Sequence, residues 1–344
     1  MPVPLSVRDT DHADHHQYSA IEIHGNEVLL PDWSFGQLLC HPEGDVRLSG
    51  LALVVHSAAR TRPFTKTTFR LLKYHLSQLH GDTDANFRGE VLTYTQRLFD
   101  RLRASTASLA KVTAPRGSKE RTEFPSAKEM NKKGLGPDQN SSDKILLDHL
   151  EFIAWYLRFL KGELRPTSTY QRHITALKSL LIVMKSGLDP SVPWHILSKQ
   201  AQGDLNWAHK LHVLDSGFTR LLQDLMLDPF DDVRGAAALI LTLGIRSDAN
   251  EGFSRFLSRA EKSMLNTGRA DHADGVARAY SVQFQECTKQ LADSSSNGPV
   301  GTDFKISVFN RLVSQLEDTI AIAQADLSIA VNGRPVHGTF AALR

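Results

Sequence analysis

The side chains best suited to chemistry fall into four groups. Asp9, Asp11, His12, Asp14, His15 and His16 put imidazole and carboxylate groups into one short stretch, a donor set able to ligate zinc or another divalent ion. A metal site needs ligands converging from rigid elements with hydrogen-bond partners behind them, which a polar N-terminal tail does not offer, so no metal and no cofactor is expected. Asp271, His272 and Asp274 look like an acid–base constellation, yet the same residues suit the first turn of a helix, where carboxylates favour the positive end of the dipole. The alternative to that structural role is partner or RNA contact, with His272 and Arg278 as the candidate partner contacts. Cys40 and Cys287 lie far apart without metal-ligand spacing, the pattern of two buried thiols in a reducing compartment.

The fourth group is basic. Between 111 and 133, Lys111, Arg116, Lys119, Arg121, Lys128, Lys132 and Lys133 outnumber Glu120, Glu123 and Glu129. Such a stretch attracts phosphates and makes these seven side chains candidate RNA contacts, although a solvated insertion has the same composition. The chain as a whole is balanced: 344 residues carry 40 basic and 38 acidic side chains, a formal +2, which excludes any argument for nucleic-acid binding from net charge. No nucleophile motif, phosphate-cradling glycine loop or SAM-binding strand–loop–helix occurs, so the chain reads as a non-enzyme with no small-molecule substrate. The N-terminus lacks the basic-then-apolar order of a secretory signal, and no stretch approaches the ~18 apolar residues of a membrane span, which points to the cytoplasm and to no membrane partner.

The elements that position these groups read as helices. Leu146, Leu150, Ile153, Leu157, Leu160 and Leu164 recur at helical spacing; Pro166 interrupts, Thr167 or Ser168 offers a cap, and Ile174, Leu177, Leu181 and Met184 continue until Gly187 supplies a stop. Further helical stretches read at about 36–60, 65–80, 86–106, 215–227, 232–245, 251–266, 272–291 and 304–331, and no strand stands out.

A recurring helix start is the stronger signal. It occurs as HPEGDVRLSGLALV at 41–54, DTDANFRGEVLTYT at 82–95 and DPFDDVRGAAALIL at 228–241. An Asx residue stands two before the arginine (Asp45, Asn86, Asp232), placed to cap the helix, and an apolar residue stands one before it (Val46, Phe87, Val233). Arg47 and Arg88 are 41 residues apart, within the ~40–47 residue period of HEAT and armadillo repeats. Arg47, Arg88 and Arg234 are expected to pair internally with an acidic residue of the same or the neighbouring repeat, Asp45 or Asp232, rather than to form an RNA-binding ladder. The fold class is therefore all-α, a HEAT/armadillo-like α-solenoid whose antiparallel helix pairs stack into a superhelix.

Along the chain this gives a polar, partly disordered N-terminal segment (1–35), HEAT-like repeats (36–106), a basic disordered loop (107–141), further HEAT-like repeats (142–291), a flexible loop (292–303) and a helical end of the array (304–344). An irregular helical bundle that merely shares capping boxes is the alternative.

Several stretches together resemble the THADA family of large helical-repeat proteins, especially its fungal members. They are HPEGDVRLSGLALVVHSAARTRPFTKTTFRLLKYHLSQLHGDTDANFRGEV, HLEFIAWYLRFLKGELRPTSTYQRHITALKSLLIVMKSGLD, DLMLDPFDDVRGAAALIL, GRADHADGVARAY and PVHGTFAALR, in the family's order. The resemblance implies a non-catalytic subunit that binds a SAM-dependent tRNA ribose methyltransferase and tRNA, and directs 2'-O-methylation to nucleotide 32 of the anticodon loop. A generic HEAT-repeat protein–protein scaffold without an RNA role is the competing expectation; an independent hydrolase built on the His272 region is a more distant one. Full-length members are several times longer, and their Arg-Arg-Ser-Ala-Gly-Leu-Pro type motif is not in this sequence. The expectation is thus an internal fragment of such a protein, with apolar helix faces exposed at both ends of the array and aggregation as the liability.

Overall fold

The structure, a computed structural model, describes residues 18–23, 26–57, 59–113, 141–203, 207–244, 250–267 and 269–293, with isolated helical positions between 310 and 321. The fold is all-α, of the α-solenoid class, preceded by one small hairpin. Strands β1 (Tyr18–Ile23) and β2 (Asn26–Pro31) pair antiparallel from Tyr18↔Pro31 to Ile23↔Asn26. This hairpin occupies part of the stretch read from sequence as a polar tail without strands. The polar run before the hairpin hid the strands in the sequence.

The helices are α1 (Asp32–Leu39), α2 (Gly44–Val55), α3 (Lys66–His80), α4 (Ala85–Thr113), α5 (Ser141–Glu163), α6 (Tyr170–Lys185), the five-residue α7 (Lys199–Gly203), α8 (Ser216–Leu225), α9 (Asp231–Gly244), α10 (Asn250–Thr267) and α11 (Ala270–Asp293). Two differences from the sequence expectation have simple causes. The stretch 36–60 is two helices, because the turn at Cys40–Glu43 contains Pro42, which biases His41 away from helical geometry. Helix α4 continues to Thr113, past the expected break at 107, because Ala107 and Leu109 extend its buried face; the Ser105 and Thr106 hydroxyls bond back onto helix carbonyls. Helix α6 begins after Thr169, whose carbonyl accepts the His173 N–H, so neither Thr167 nor Ser168 is the cap; Gly187 does follow the helix, at φ +82, a conformation only glycine adopts without strain.

The described chain divides into two compact units. The first holds residues up to Glu163 with Lys178–Val213. In it α1 packs on α2 and α3, α2 on α4, and α3 and α4 on α5. Its core is aromatic: Phe69 of α3 stacks on Phe152 of α5 at 4.4 Å, and Phe99 of α4 meets the edge of Tyr156 at 5.1 Å. His149 lies in that core, its Nε2 accepting from the Phe64 N–H at 3.0 Å and its Nδ1 facing the Ile145 carbonyl at 2.7 Å. Burial pushes its imidazole down to about 4, against the raising effect of the Ile145 bond, so it is neutral.

The second unit holds Leu164–Leu177 and the residues from Leu214 onward. There α9 packs on α8 and α11, and α10 on α11, burying Phe218, Leu222, Val233, Ile240, Phe253, Val276 and Tyr280. Gly275 is required at the α11 contact, since a Cβ there would lie 2.1 Å from the Met226 carbonyl oxygen. No helix among the described residues is long and apolar enough to cross a membrane.

Candidate functional site

The three repeat arginines make one construction three times. Each is the first residue of its helix to close a backbone bond onto the residue four before it: Arg47 onto Glu43, Arg88 onto Asp84, Arg234 onto Phe230. Side chains on a helix lean toward its N-terminus, so the guanidinium reaches back over the entering loop. Arg47 Nη1 donates to the carbonyls of His41 (2.8 Å) and Pro42 (2.7 Å); Arg88 Nη1 to those of Asp82 (2.6 Å) and Thr83 (2.9 Å); Arg234 Nη1 to those of Asp228 (2.8 Å) and Pro229 (3.0 Å). The residue six before the arginine also works with its side chain. His41 Nδ1, Asp82 Oδ1 and Asp228 Oδ1 accept the N–H of Glu43, Asp84 and Phe230 at 3.1, 2.9 and 2.9 Å. Loop carbonyls that a reversing chain leaves without partners are thereby satisfied, each charged bond contributing about 1.5–3 kcal/mol.

This corrects the expected roles of Asp45, Asn86 and Asp232. All three are exposed on the first helical turn, where they favour the dipole, and the loop is instead closed by the residue six before the arginine. Asp232 Oδ2 accepts from the Tyr170 hydroxyl at 3.3 Å. The ion pairs differ as well. Arg47 pairs not with Asp45 but with Asp82 of the next repeat, Nη2 to Oδ2 2.5 Å, and its guanidinium lies 4.6 Å over the Phe87 ring. The first clamp thus holds on to the second. Arg234 pairs not with Asp232 but with Asp231 (3.1 Å) and Asp274 (2.7 Å).

Asp274 is the centre of a closed network, because Arg278 Nε also reaches it at 2.8 Å while Arg278 Nη2 reaches Asp231 at 2.8 Å. Two cations and two anions alternate around it. Burial pushes the Asp274 carboxyl up, but the hydrogen bonds from Arg278 and Arg234 and their charges outweigh it and hold it below the usual carboxylate range; Arg278 is raised in turn, the Asp274 bond overcoming its own burial.

The acid–base constellation does not converge. Asp271 pairs with Arg269, His272 Nδ1 lies 2.9 Å from Ser263 Oγ, and Asp274 is held by the two arginines. His272 and Arg278, the candidate partner contacts, are thus engaged inside their own unit. Cys40 is exposed rather than buried, since it caps α1, with Sγ 3.2 Å from His75 Nδ1; the Cys287 side chain lies outside the described residues. Among the described residues no group of His, Cys, Asp and Glu is arranged for a metal, and the Asp9–His16 cluster lies outside them. Of the candidate RNA contacts Lys111 stands exposed on the last turn of α4, where a cation complements the helix dipole; Arg116, Lys119, Arg121, Lys128, Lys132 and Lys133 lie outside the described residues.

Two fasteners had no repeated pattern to reveal them. Arg101 donates to the carbonyls of Val55, His56, Arg62 and Pro63 at 2.9–3.3 Å and lies 3.8 Å over the Phe64 ring, tying the connection after α2 to α4. Asp189, fully buried, accepts from the N–H groups of Ser191 (2.9 Å) and Val213 (2.7 Å).

Side chains that would converge on a substrate in an enzyme are here spent on holding loops to helices, and repeated clamps on helix pairs define a helical-repeat protein of the α-solenoid class. The chain belongs to the family described as Trm732, TPR repeats, whose model matches residues 17–235. Over 322 residues it is 24% identical to the tRNA (32-2'-O)-methyltransferase regulator trm732 of Schizosaccharomyces pombe, covering 92% of this chain and 19% of that protein. The chain therefore spans 19% of the length of this relative, which is named as a regulator of the methyltransferase. No solved structure matches the chain. The family agrees with the resemblance to fungal THADA proteins, and HEAT and TPR both denote stacked antiparallel helix pairs.

Proposed function

We propose that this chain is part of a non-catalytic regulatory subunit that supports tRNA ribose 2'-O-methylation at nucleotide 32 of the anticodon loop, by binding a SAM-dependent methyltransferase and tRNA. The observation that carries this is the similarity to the trm732 regulator across 92% of the chain, which takes in all three arginine clamps. The clamps support a scaffold: each fastens a helix to the loop that enters it, so the surfaces offered to partners need little ordering on binding. Catalysis on this reading belongs to the methyltransferase, and the site of action is the cytoplasm. Deleting the gene that encodes the chain and mapping ribose methylation in total tRNA tests the proposal. Loss of the 2'-O-methyl group at nucleotide 32, with other ribose methylations retained, is the expected result; full methylation at nucleotide 32 contradicts it.

A protein-binding scaffold without an RNA role is the second reading. Trp33, Tyr74 and Trp194 favour it, being 57%, 80% and 59% exposed, since exposed aromatic side chains are frequent anchors of protein interfaces. That reading predicts protein partners in purified complexes with no enrichment of tRNA.

A further inference from the structure

A cleft of about 450 Å³ opens in the first unit between the connection that follows α2 and one face of α4, lined by Val55, His56, Ser57, Arg60, Arg97, Asp100, Arg101 and Gln200. We propose that this cleft binds a phosphodiester group of RNA. The inference rests on the RNA-binding role proposed above and gives it a place in the chain.

Three guanidinium groups line a cleft with one carboxylate. That carboxylate, Asp100, is already matched: Arg103 lies 3.4 Å from it, both side chains buried, and the Gln96 amide donates to it at 3.2 Å. The one carboxylate of the lining is thus engaged by an arginine from outside the lining, which leaves the guanidiniums in excess there. Arg101 is fixed by four backbone carbonyls, so its charge is held in place without a carboxylate partner among those contacts. Arg97 is positioned too. Its Nη1 donates to His56 Nε2 at 2.5 Å, and its guanidinium lies 5.4 Å over the Tyr94 ring. His56 accepts this bond as a neutral imidazole, since burial and then the charges of Arg97 and Arg101 hold its pKa below the ordinary value. Ser57 adds an independent sign of a missing partner: its hydroxyl oxygen is buried at the lip of the cleft without a hydrogen-bond partner among the described residues. Fixed guanidiniums beside a hydroxyl donor are the equipment of a phosphate site, which asks for charge and several N–H or O–H donors at once. A single-stranded or loop RNA also brings bases beside its phosphates, and Tyr94 offers a ring next to Arg97.

The test titrates the intact 344-residue chain into a fluorescent tRNA anticodon stem–loop at several salt concentrations, comparing it with the Arg60→Gln/Arg97→Gln double variant. Arg101 is left in place because it fastens the connection. Arg158→Gln and Lys178→Gln, exposed charges outside the cleft, serve as controls, and circular dichroism confirms the helical content of each variant. The expected result is roughly tenfold weaker binding by the double variant, with the slope of log K against log salt reduced by about 1 to 2, and near-unchanged binding by the controls. A double variant that binds like the unaltered chain, or no more weakly than the controls, overturns the cleft assignment while leaving RNA binding intact. An unaltered chain that fails to bind the stem–loop overturns both the cleft and the RNA role. Inorganic phosphate, titrated separately by calorimetry, separates the sources of the anion: heat that depends on Arg97 together with RNA binding that does not would make this a small-anion site and contradict the proposal.

Discussion

At the scale of single residues, the chain spends its charge on internal order. Arg234 joins two loop carbonyls, Asp231 and Asp274 in one nearly buried side chain, so Arg234→Ala strands several polar groups at once. Its expected cost is about 3–5 kcal/mol, read from urea unfolding, with Arg234→Lys recovering only part because an ammonium lacks the planar fork of donors. His149 gives a pH prediction. Its folded-state pKa, about 4, is depressed below the unfolded value near 6.5, so the unfolded chain binds the proton first as pH falls. Stability is complete above about pH 6.5 and declines toward pH 4, by on the order of 3 kcal/mol for this group. Unfolding free energies at pH 7 and pH 5 should differ by about 2 kcal/mol through this group in the unaltered chain and by clearly less in His149→Gln; equal differences would show that another group carries the acid sensitivity. The arginines were legible in the sequence because they recur. Their partners were not, because Asp82 and Asp274 lie 35 and 40 residues downstream and only folding brings them close.

At the scale of elements, the helical period of the apolar residues was enough to find α3, α5 and α6, whose buried faces repeat without interruption. It failed where short-range chemistry competes with the period. The paired strands β1 and β2 mix polar and apolar residues over six positions each, and the end of α4 buries Ala107 and Leu109 in a stretch whose following composition reads as loop. Close helix contact was equally hidden. Gly275→Ala should destabilise the second unit by about 1–3 kcal/mol, since its Cβ meets a backbone carbonyl that cannot rotate away. Gly235→Ala is the contrast: its nearest neighbour is the Arg278 guanidinium at 3.1 Å, the far end of a flexible side chain, so the loss should be smaller. Thermal unfolding of the two variants side by side decides between these outcomes.

At the scale of the whole molecule, the clamps give the chain its logic: a loop is tied to the helix it feeds, and Arg47 ties one such loop to the next. This is a device for a stack of helix pairs that holds its own shape and offers surface to others. The sequence carried that class through the 41-residue spacing and carried the family through longer stretches, whereas the cleft at Arg97 draws its residues from α4, from the connection after α2 and from Gln200, and no motif marks it.

The most direct measurement is purification of the tagged chain from its own cells, with mass spectrometry of the bound proteins and sequencing of the bound RNA. A ribose methyltransferase together with enriched tRNA is the expected recovery. Recovery of neither, from a chain that is folded and abundant in the extract, would contradict it.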